Sequence, residues 1–371
     1  MTASLRRAAG SSLVVGLGST ELTGLERAWL RLVRPAGVIL FRRNIADAQQ
    51  TRALLDEATG LAAAHGFRCV DVEGGMVDRL RDALAPMPSA QAVARAARLK
   101  GKVGLTREHG ELVARAVKAF GFNTTLAPVL DLALPPSAQV MGTRAVAETA
   151  AGVIEYARGF LAGLAAHGVA GCGKHFPGLG GGSLDSHVET PEIRRSWRSL
   201  WQEDLVPYRE MREELPMVMV NHAAYPDSLG KDRPASVSPY WIATVLRKRI
   251  GYRGIVFSDD LEMGGILKFM PIEEAAVAAI RAGMDLLEVC HSSELILRVY
   301  EALLGEGERS AAFRRLLLAR AAQGARMRAK LFAQGLPAPL PVRQYEALRS
   351  RIVRFNEAIA NARQTQETQL A

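Results

Sequence analysis

The chain alternates between short apolar runs and longer amphipathic intervals. Each apolar run is rich in β-branched residues and nearly continuous, as expected for strands of a parallel sheet that is buried on both faces. Eight such runs can be marked in the 371-residue chain, at residues 12–18, 37–41, 67–74, 124–131, 168–176, 216–223, 254–260 and 284–290. The pattern therefore predicts eight buried, parallel strands.

Most of the intervals between these runs have the apolar spacing of helices. The clearest examples are residues 46–65, 148–167, 272–282 and 292–304. The interval 75–123 is longer than one helix requires, and we expect a loop near Pro86 and Pro88 together with two helical pieces. Strand–helix alternation repeated eight times predicts an α/β fold, a single (β/α)8 TIM-like barrel.

The barrel is predicted to occupy residues 1–332, because a barrel of this type commonly uses this much chain as one unit. A Pro-rich connector, AQGLPAPLPV, follows Phe332. An amphipathic helix from about residue 343 to 362 and a polar tail come next, so residues 333–371 are expected to form a C-terminal helical extension.

Composition and apolar run length indicate the cellular location of the protein and the classes of partner that it can have. The run 13–17 is too short for the apolar part of a signal peptide, and no segment has about 18 uninterrupted apolar residues, so we expect a cytoplasmic protein with no membrane partner. The net charge is +9, but Lys and Arg are scattered, which favours a basic surface over nucleic-acid binding. The three cysteines match no zinc spacing and are predicted to be buried free thiols.

Polar side chains follow five consecutive strand runs, from the third to the seventh. Active sites of (β/α)8 barrels lie at the carboxyl ends of the strands, so these side chains are expected to meet there. They are Asp71 and Glu73, Asp131, Lys174 and His175, His222, and Asp259 with Asp260.

The segment KHFPGLGGGSLDSH, residues 174–187, contains a Gly-rich loop that ends in Asp185-Ser186-His187. An Asp two residues before a His can accept the imidazole proton, orient the ring and raise its pKa. Such a His can protonate a leaving oxygen and later deprotonate water. From these residues alone, an ordinary exposed His in a solvated loop is an equally good interpretation.

The segment GIVFSDDLEM, residues 254–263, ends a predicted strand with two carboxylates. A carboxylate fixed at the mouth of a barrel can attack an anomeric carbon and form a covalent glycosyl intermediate. Adjacent Asp residues can also bind Mg²⁺. Successive strand residues point to opposite faces, so we expect only one of Asp259 and Asp260 to face the pocket, which disfavours a metal site.

Three other side chains are candidate sugar ligands. Asp71 offers a carboxylate to sugar hydroxyls, and Arg79 and Arg144 are cations in predicted loops. Taken singly, each would more often be a surface salt-bridge partner, so their interest depends on their being placed together.

From about residue 12 to about residue 290 the chain resembles the bacterial β-N-acetylglucosaminidases of glycoside hydrolase family 3. The most specific segments are KHFPG followed by DSH, and SDDLEM. The resemblance implies a retaining glycosidase that removes terminal, non-reducing β-GlcNAc from peptidoglycan-derived, muropeptide-type fragments. It implies no cofactor and no metal, and a monomer is expected.

The resemblance also implies roles for individual residues. Asp259 corresponds to the nucleophile, His187 to the general acid/base and Asp185 to its partner. The implied substrate-binding residues are Asp71, Arg79, Arg144, Lys174 and His175. A histidine that has given up its proton is neutral and does not repel an anion, so both water and phosphate remain open as acceptors.

The chain departs from the family pattern in two places. GLGGG replaces the usual GHGDT, with Leu179 in place of a His, and Gly181 and Gly182 in place of Asp and Thr; Met76 stands where Arg is common. We expect a loop with fewer polar anchors. A β-glucosidase or β-xylosidase of the same family is one alternative, although the DSH segment argues against it. The other is a non-catalytic, sugar-binding barrel.

Overall fold

The computed structural model describes residues 2–102, 104–182, 190–231, 233–335 and 338–370. Eight parallel strands close into a barrel in the order β1-β2-β3-β6-β7-β8-β9-β10. They are β1 (Leu13–Gly16), β2 (Gly37–Leu40), β3 (Phe67–Val70), β6 (Thr124–Thr125), β7 (Ala170–Phe176), β8 (Met217–Val220), β9 (Ile255–Asp260) and β10 (Leu286–Val289). Each lies within one of the eight predicted runs, and the prediction of a (β/α)8 barrel is confirmed.

A small hairpin interrupts the third predicted run. The antiparallel strands β4 (Val72–Gly74) and β5 (Val77–Asp78) follow β3 directly, so the run 67–74 is not one strand as predicted. The turn requires Gly74 and Gly75, whose φ angles are 89° and 63°, in the left-handed region that favours glycine. A side chain at Gly74 would also collide with the main-chain oxygen of Pro88, 2.1 Å from the Cβ position.

Helices fill most of the intervals between the strands. The α-helices are α1 (Ala3–Gly10), α2 (Gly24–Val33), α3 (Ala48–Gly60), α4 (Ala90–Lys100), α5 (Gly104–Ala119), α6 (Ala138–Met141), α7 (Ala150–Ala166), α8 (Trp197–Ser199), α9 (Val206–Glu210), α10 (Gly264–Leu267), α11 (Ile272–Ala282), α12 (Ser293–Arg309), α13 (Ala311–Leu331) and α14 (Val342–Leu370). Shorter 3-10 turns are Arg42–Asn44, Pro135–Ser137, Gly142–Arg144 and Ala235–Val237, and π-helical stretches are Leu200–Asp204 and Tyr240–Arg249. The two helical pieces expected between residues 75 and 123 are α4 and α5.

Basic side chains cap helix C-termini at the end of the barrel where the strands begin. Arg52 donates to the main-chain oxygen of Lys118, at 2.9 Å, near the end of α5. Lys118 Nζ in turn donates to the main-chain oxygen of His167, at 2.6 Å, just after α7. Cations are favoured there because the last carbonyls of a helix carry partial negative charge. Part of the basic excess therefore has a role within the fold.

Helix α14 packs on the outside of the barrel against α4 and α5. Leu348 and Ile352 are fully buried, and Tyr345 Oη donates to the main-chain oxygen of Ala83 at 2.7 Å. The helix continues to Leu370, beyond the predicted end at residue 362. Gln, Glu, Arg and Ala are good helix formers, and the predicted polar tail contains neither Gly nor Pro to end the helix.

The barrel interior is mostly apolar. On β10 and just beyond it, Leu286 and Cys290 point inward with Glu288 between them, as strand alternation requires. All three cysteines are buried and free, which confirms the prediction. Among the described residues, no helix is both long enough and apolar enough to cross a membrane.

Candidate active site

A cavity of about 420 Å³, called the site cavity below, lies at the carboxyl ends of the barrel strands. It brings together six of the predicted site residues: Asp71, Arg79, Arg144, Lys174, His175 and Asp259. His187 and Asp185 fall in residues 183–189, outside the described part of the chain. The site cavity is thus where the strand-end pattern predicted it.

Lys174, near the end of β7, links two carboxylates from the β3–β4 region. Its Nζ lies 2.9 Å from Asp71 Oδ1 and 2.7 Å from Glu73 Oε1. Burial opposes the charge of Lys174, but Asp71 and Glu73 outweigh this effect and raise its pKa above the ordinary value. Lys174 is therefore a fixed cation between these two side chains.

Arg144 forms a doubly hydrogen-bonded pair with Glu73. Nε and a terminal nitrogen of the guanidinium donate to the two Glu73 oxygens at 2.8 and 2.9 Å. Although burial raises the pKa of Glu73, Arg144 and Lys174 lower it more, and the net shift is downward. Glu73 followed a strand run in the sequence, but its role as the common partner of two cations depends on residues far from it in the chain.

Asp131 organises the start of the Gly-rich loop. Its Oδ2 lies 2.7 Å from His175 Nδ1, and its Oδ1 accepts the amide of Leu179 at 2.7 Å. The other ring nitrogen, Nε2, lies 3.4 Å from Arg144. His175 and Lys174 are consecutive, and both line the site cavity. The ring of His175 is thus held in one orientation by groups from two other loops.

Arg79 is the most exposed of the predicted ligands. A terminal nitrogen of its guanidinium lies 3.7 Å from Asp71 Oδ2, and its side chain is 31% exposed. The guanidinium carbon lies 5.7 Å from the centre of the Phe41 ring. At this separation the ion pair with Asp71 is loose, so Arg79 keeps hydrogen-bonding capacity toward the cavity.

Asp259 lies near the end of β9 and faces the site cavity. Burial raises the pKa of this carboxyl, but His175, His222 and Lys174 together lower it by more than burial raises it. The resulting pKa is below the ordinary value. Asp259 is therefore ionised at neutral pH, as a carboxylate nucleophile must be.

Asp260 also lines the site cavity, so the expectation that only one of the two residues would face it is wrong. The register between β9 and β10 shifts here, because Leu286 pairs with Phe257 and Glu288 pairs with Asp260. This bulge breaks the strict alternation of side chains. Burial raises the pKa of Asp260 to about 7, and the neighbouring carboxylates Glu262 and Asp259 add to the effect.

His222, unlike most of the other strand-end residues, does not line the site cavity. It is fully buried, with Nδ1 2.7 Å from Ser236 Oγ and Nε2 2.9 Å from the main-chain oxygen of Asp260. Its contact with the main chain of Asp260 therefore stabilises the end of β9. Across the described ranges, no three His, Cys, Asp or Glu side chains are grouped in a way that could hold a metal ion.

The altered GLGGG segment is packed closely against residues 193–195. A Cβ at Gly181 would lie 2.6 Å from Arg195 Cδ, and a Cβ at Gly182 would lie 2.5 Å from Ile193 Cδ1. Arg195 is itself held by Asp204, with Nε 2.8 Å from Oδ2. The space that longer side chains would need at positions 181 and 182 is thus filled from the neighbouring segment.

Comparison with known proteins agrees with this geometry. The family model described as "Glycosyl hydrolase family 3 N terminal domain" matches residues 16–316. A protein of Idiomarina loihiensis named beta-hexosaminidase is 33% identical over 304 residues, which cover 82% of this chain and 91% of that protein.

Two solved structures extend the comparison. A glycoside hydrolase family 3 beta-N-acetylglucosaminidase from Paenibacillus sp. str. FPU-7 superposes with a TM-score of 0.85 at 29% identity, covering 96% of this chain and 69% of that chain. NagZ from Neisseria gonorrhoeae, in complex with N-trifluoroacetyl-D-glucosamine, superposes with a TM-score of 0.72 at 29% identity, covering 85% of this chain and 98% of that chain. The fold, the matched residues and the relatives together place this chain in glycosyl hydrolase family 3, as the sequence resemblance predicted.

Proposed function

We propose that this chain is a retaining β-N-acetylhexosaminidase that removes terminal, non-reducing β-GlcNAc. The observation that carries the proposal is the position of Asp259, an ionised carboxylate facing a cavity lined by hydrogen-bonding groups at the mouth of a family 3 barrel. Relatives named beta-hexosaminidase and a NagZ structure holding an N-acylglucosamine analogue support the choice of sugar.

In the proposed reaction, Asp259 attacks the anomeric carbon and the bond from that carbon to the leaving oxygen breaks. His187, oriented by Asp185, gives its proton to the leaving oxygen. Water then attacks the same carbon, gives a proton to His187 and releases Asp259 from the glycosyl ester. Two inversions at one carbon retain the β configuration.

The carboxylates and cations around the site cavity are proposed to hold the sugar. Asp71 and Arg79 offer an acceptor and a donor at its edge, and their ion pair is loose at 3.7 Å. Arg144, Lys174 and His175 are fixed by partners of their own, so they need little reorganisation when the sugar binds.

The finer assignments are also proposals. We propose that the natural substrate is a GlcNAc-terminated, muropeptide-type fragment, that the protein acts in the cytoplasm, and that it is a monomer. Because His187 is neutral after it protonates the leaving group, phosphate could replace water, and the product would then be a sugar 1-phosphate.

Turnover of p-nitrophenyl β-GlcNAc tests the proposal. We expect hydrolysis to exceed that of the β-glucoside by at least tenfold, with β-GlcNAc as the first anomer seen by NMR. Asp259→Asn should abolish turnover, whereas Asp260→Asn, on the same strand, should retain part of it. A preference for the β-glucoside would favour a β-glucosidase, and tight GlcNAc binding without turnover would favour a sugar-binding barrel.

A further inference from the structure

The floor of the site cavity contains a carboxyl group that the proposed mechanism does not use. Glu288 on β10 is only 2% exposed and lines the cavity. The lining of the same cavity includes Ile39, Leu126 and Met219, which belong to the apolar barrel interior. A carboxyl placed among these side chains loses hydration and gains no packing in return.

The described part of the fold leaves one carboxyl oxygen of Glu288 without a partner. Oε1 is buried and has no hydrogen-bond partner among the described residues. The main chain, by contrast, is satisfied: the amide donates to Ser258 Oγ at 2.9 Å, and the carbonyl accepts the amide of Leu261 at 2.9 Å. These main-chain bonds do not involve the carboxyl group, so an apolar residue at this position could form them too.

The surroundings of Glu288 also affect whether its carboxyl group is protonated. Burial raises its pKa well above the ordinary value, and the carboxylates of Asp260, Asp71 and Asp259 raise it further, against the smaller opposing effect of Lys174. The surroundings of Glu288 therefore favour the neutral carboxylic acid over the carboxylate. Such a group offers one O–H donor and one carbonyl acceptor, which suits the uncharged hydroxyl and amide substituents of a sugar.

We propose that Glu288 is a further substrate-binding residue, which hydrogen-bonds a polar substituent of the bound sugar at the floor of the site cavity and helps to set sugar specificity. The proposal rests on the proposed glycosidase function. A polar group that is buried without a partner until ligand arrives is a usual feature of binding sites, where stability is given up for function.

Two variants separate a binding role from a structural one. Glu288→Gln keeps a donor and an acceptor at similar volume, whereas Glu288→Leu keeps only the volume. We expect Glu288→Leu to raise KM for p-nitrophenyl β-GlcNAc by roughly fivefold to tenfold, the loss of one hydrogen bond. Its kcat should change less, and Glu288→Gln should stay within about threefold of wild type.

Stability gives an independent readout. Because the carboxyl is buried without a partner, the thermal midpoint of Glu288→Leu should equal or exceed that of wild type while its KM worsens. A larger KM effect on the β-GlcNAc substrate than on the β-glucoside would identify the acetamido group as the partner. An equal effect on both substrates would identify a hydroxyl group that they share.

An unchanged KM in Glu288→Leu would overturn the proposal, as would equal loss of kcat and thermal midpoint in both variants. Calorimetric titration with GlcNAc distinguishes failure of the Glu288 proposal from failure of the glycosidase assignment. If wild type turns over no chromogenic glycoside but binds GlcNAc, weaker binding by Glu288→Leu still supports the role of Glu288. Absence of both turnover and GlcNAc binding in wild type would overturn both proposals.

Discussion

Glu73 and Arg144 are 71 residues apart in the sequence and form a buried, doubly hydrogen-bonded ion pair beside the site cavity. The same glutamate binds Lys174, so one carboxylate fixes two cations from different loops. Its removal would leave both cations short of a partner at a place that water reaches poorly.

We therefore predict that Glu73→Gln lowers the free energy of unfolding by about 3–5 kcal/mol, the cost of breaking a buried ion pair from one side. KM for the chromogenic β-GlcNAc should rise at least tenfold because Arg144 loses its orientation. Urea unfolding and steady-state kinetics measure the two effects. Glu57→Gln, which removes an exposed partner of Arg27, serves as the control and should change neither. Equal behaviour of the two variants would contradict the prediction.

Asp260 should make the protein less stable as pH rises. Its pKa is raised from 3.8 to about 7, so between these values the folded protein holds a proton that the unfolded chain has lost, and the free energy of unfolding falls with rising pH. Asp260→Asn should remove this slope and gain at most about 4 kcal/mol relative to wild type by pH 8. Urea unfolding at several pH values measures the difference. If the stability advantage of Asp260→Asn over wild type shrinks as pH rises, the predicted direction of the pH dependence is wrong.

His109 should act in the opposite direction. Burial lowers its pKa from 6.5 to about 3, so between these values the unfolded chain holds a proton that the folded protein lacks. Stability should rise with pH up to about 6.5 and gain nothing further from this residue above it. His109→Phe should have a shallower acid slope, with a constant offset because Tyr156 Oη loses its partner, His109 Nδ1, at 3.0 Å. Parallel stability curves for wild type and variant would refute this account.

Helix α14 is predicted to be an integral part of the barrel domain. Ile352 is fully buried, whereas the next residue, Val353, is 41% exposed, so the two form a matched pair. Ile352→Ala should lower the free energy of unfolding by about 2–5 kcal/mol, and Val353→Ala by less than about 0.5 kcal/mol. Chemical unfolding provides the comparison. If both variants unfold like wild type, α14 contributes little to the stability of the barrel.

The barrel and the place of its site could be predicted because their signals are local. An apolar run such as residues 254–260 identifies a buried strand by itself, and the residue that ends it must lie at the carboxyl rim of the barrel. The hairpin of β4 and β5 could not be separated from β3 in the same way. Val72 continues the apolar pattern, and only the two glycines that follow signal the turn.

The pairing of charged groups could not be predicted, because it depends on contacts between distant segments. The apolar pattern marks Asp131 as a strand-end residue, but its contact with His175, 44 residues away, has no sequence signal. The alternation rule mispredicts the orientation of Asp260, because the register shifts between β9 and β10. Glu288 is not among the residues that the sequence analysis selects, although a carboxylate inside the apolar run 284–290 departs from the pattern of a buried strand.

The close packing of Gly181 and Gly182 against Arg195 and Ile193 has an evolutionary consequence. A substitution to Asp at position 181 or Thr at position 182 would place a new side chain where Arg195 or Ile193 already stands. Such a change would require the facing side chain to shift, and we expect smaller residues at 193 or 195 to ease it. The two segments are therefore expected to covary among related proteins, as an epistatic unit.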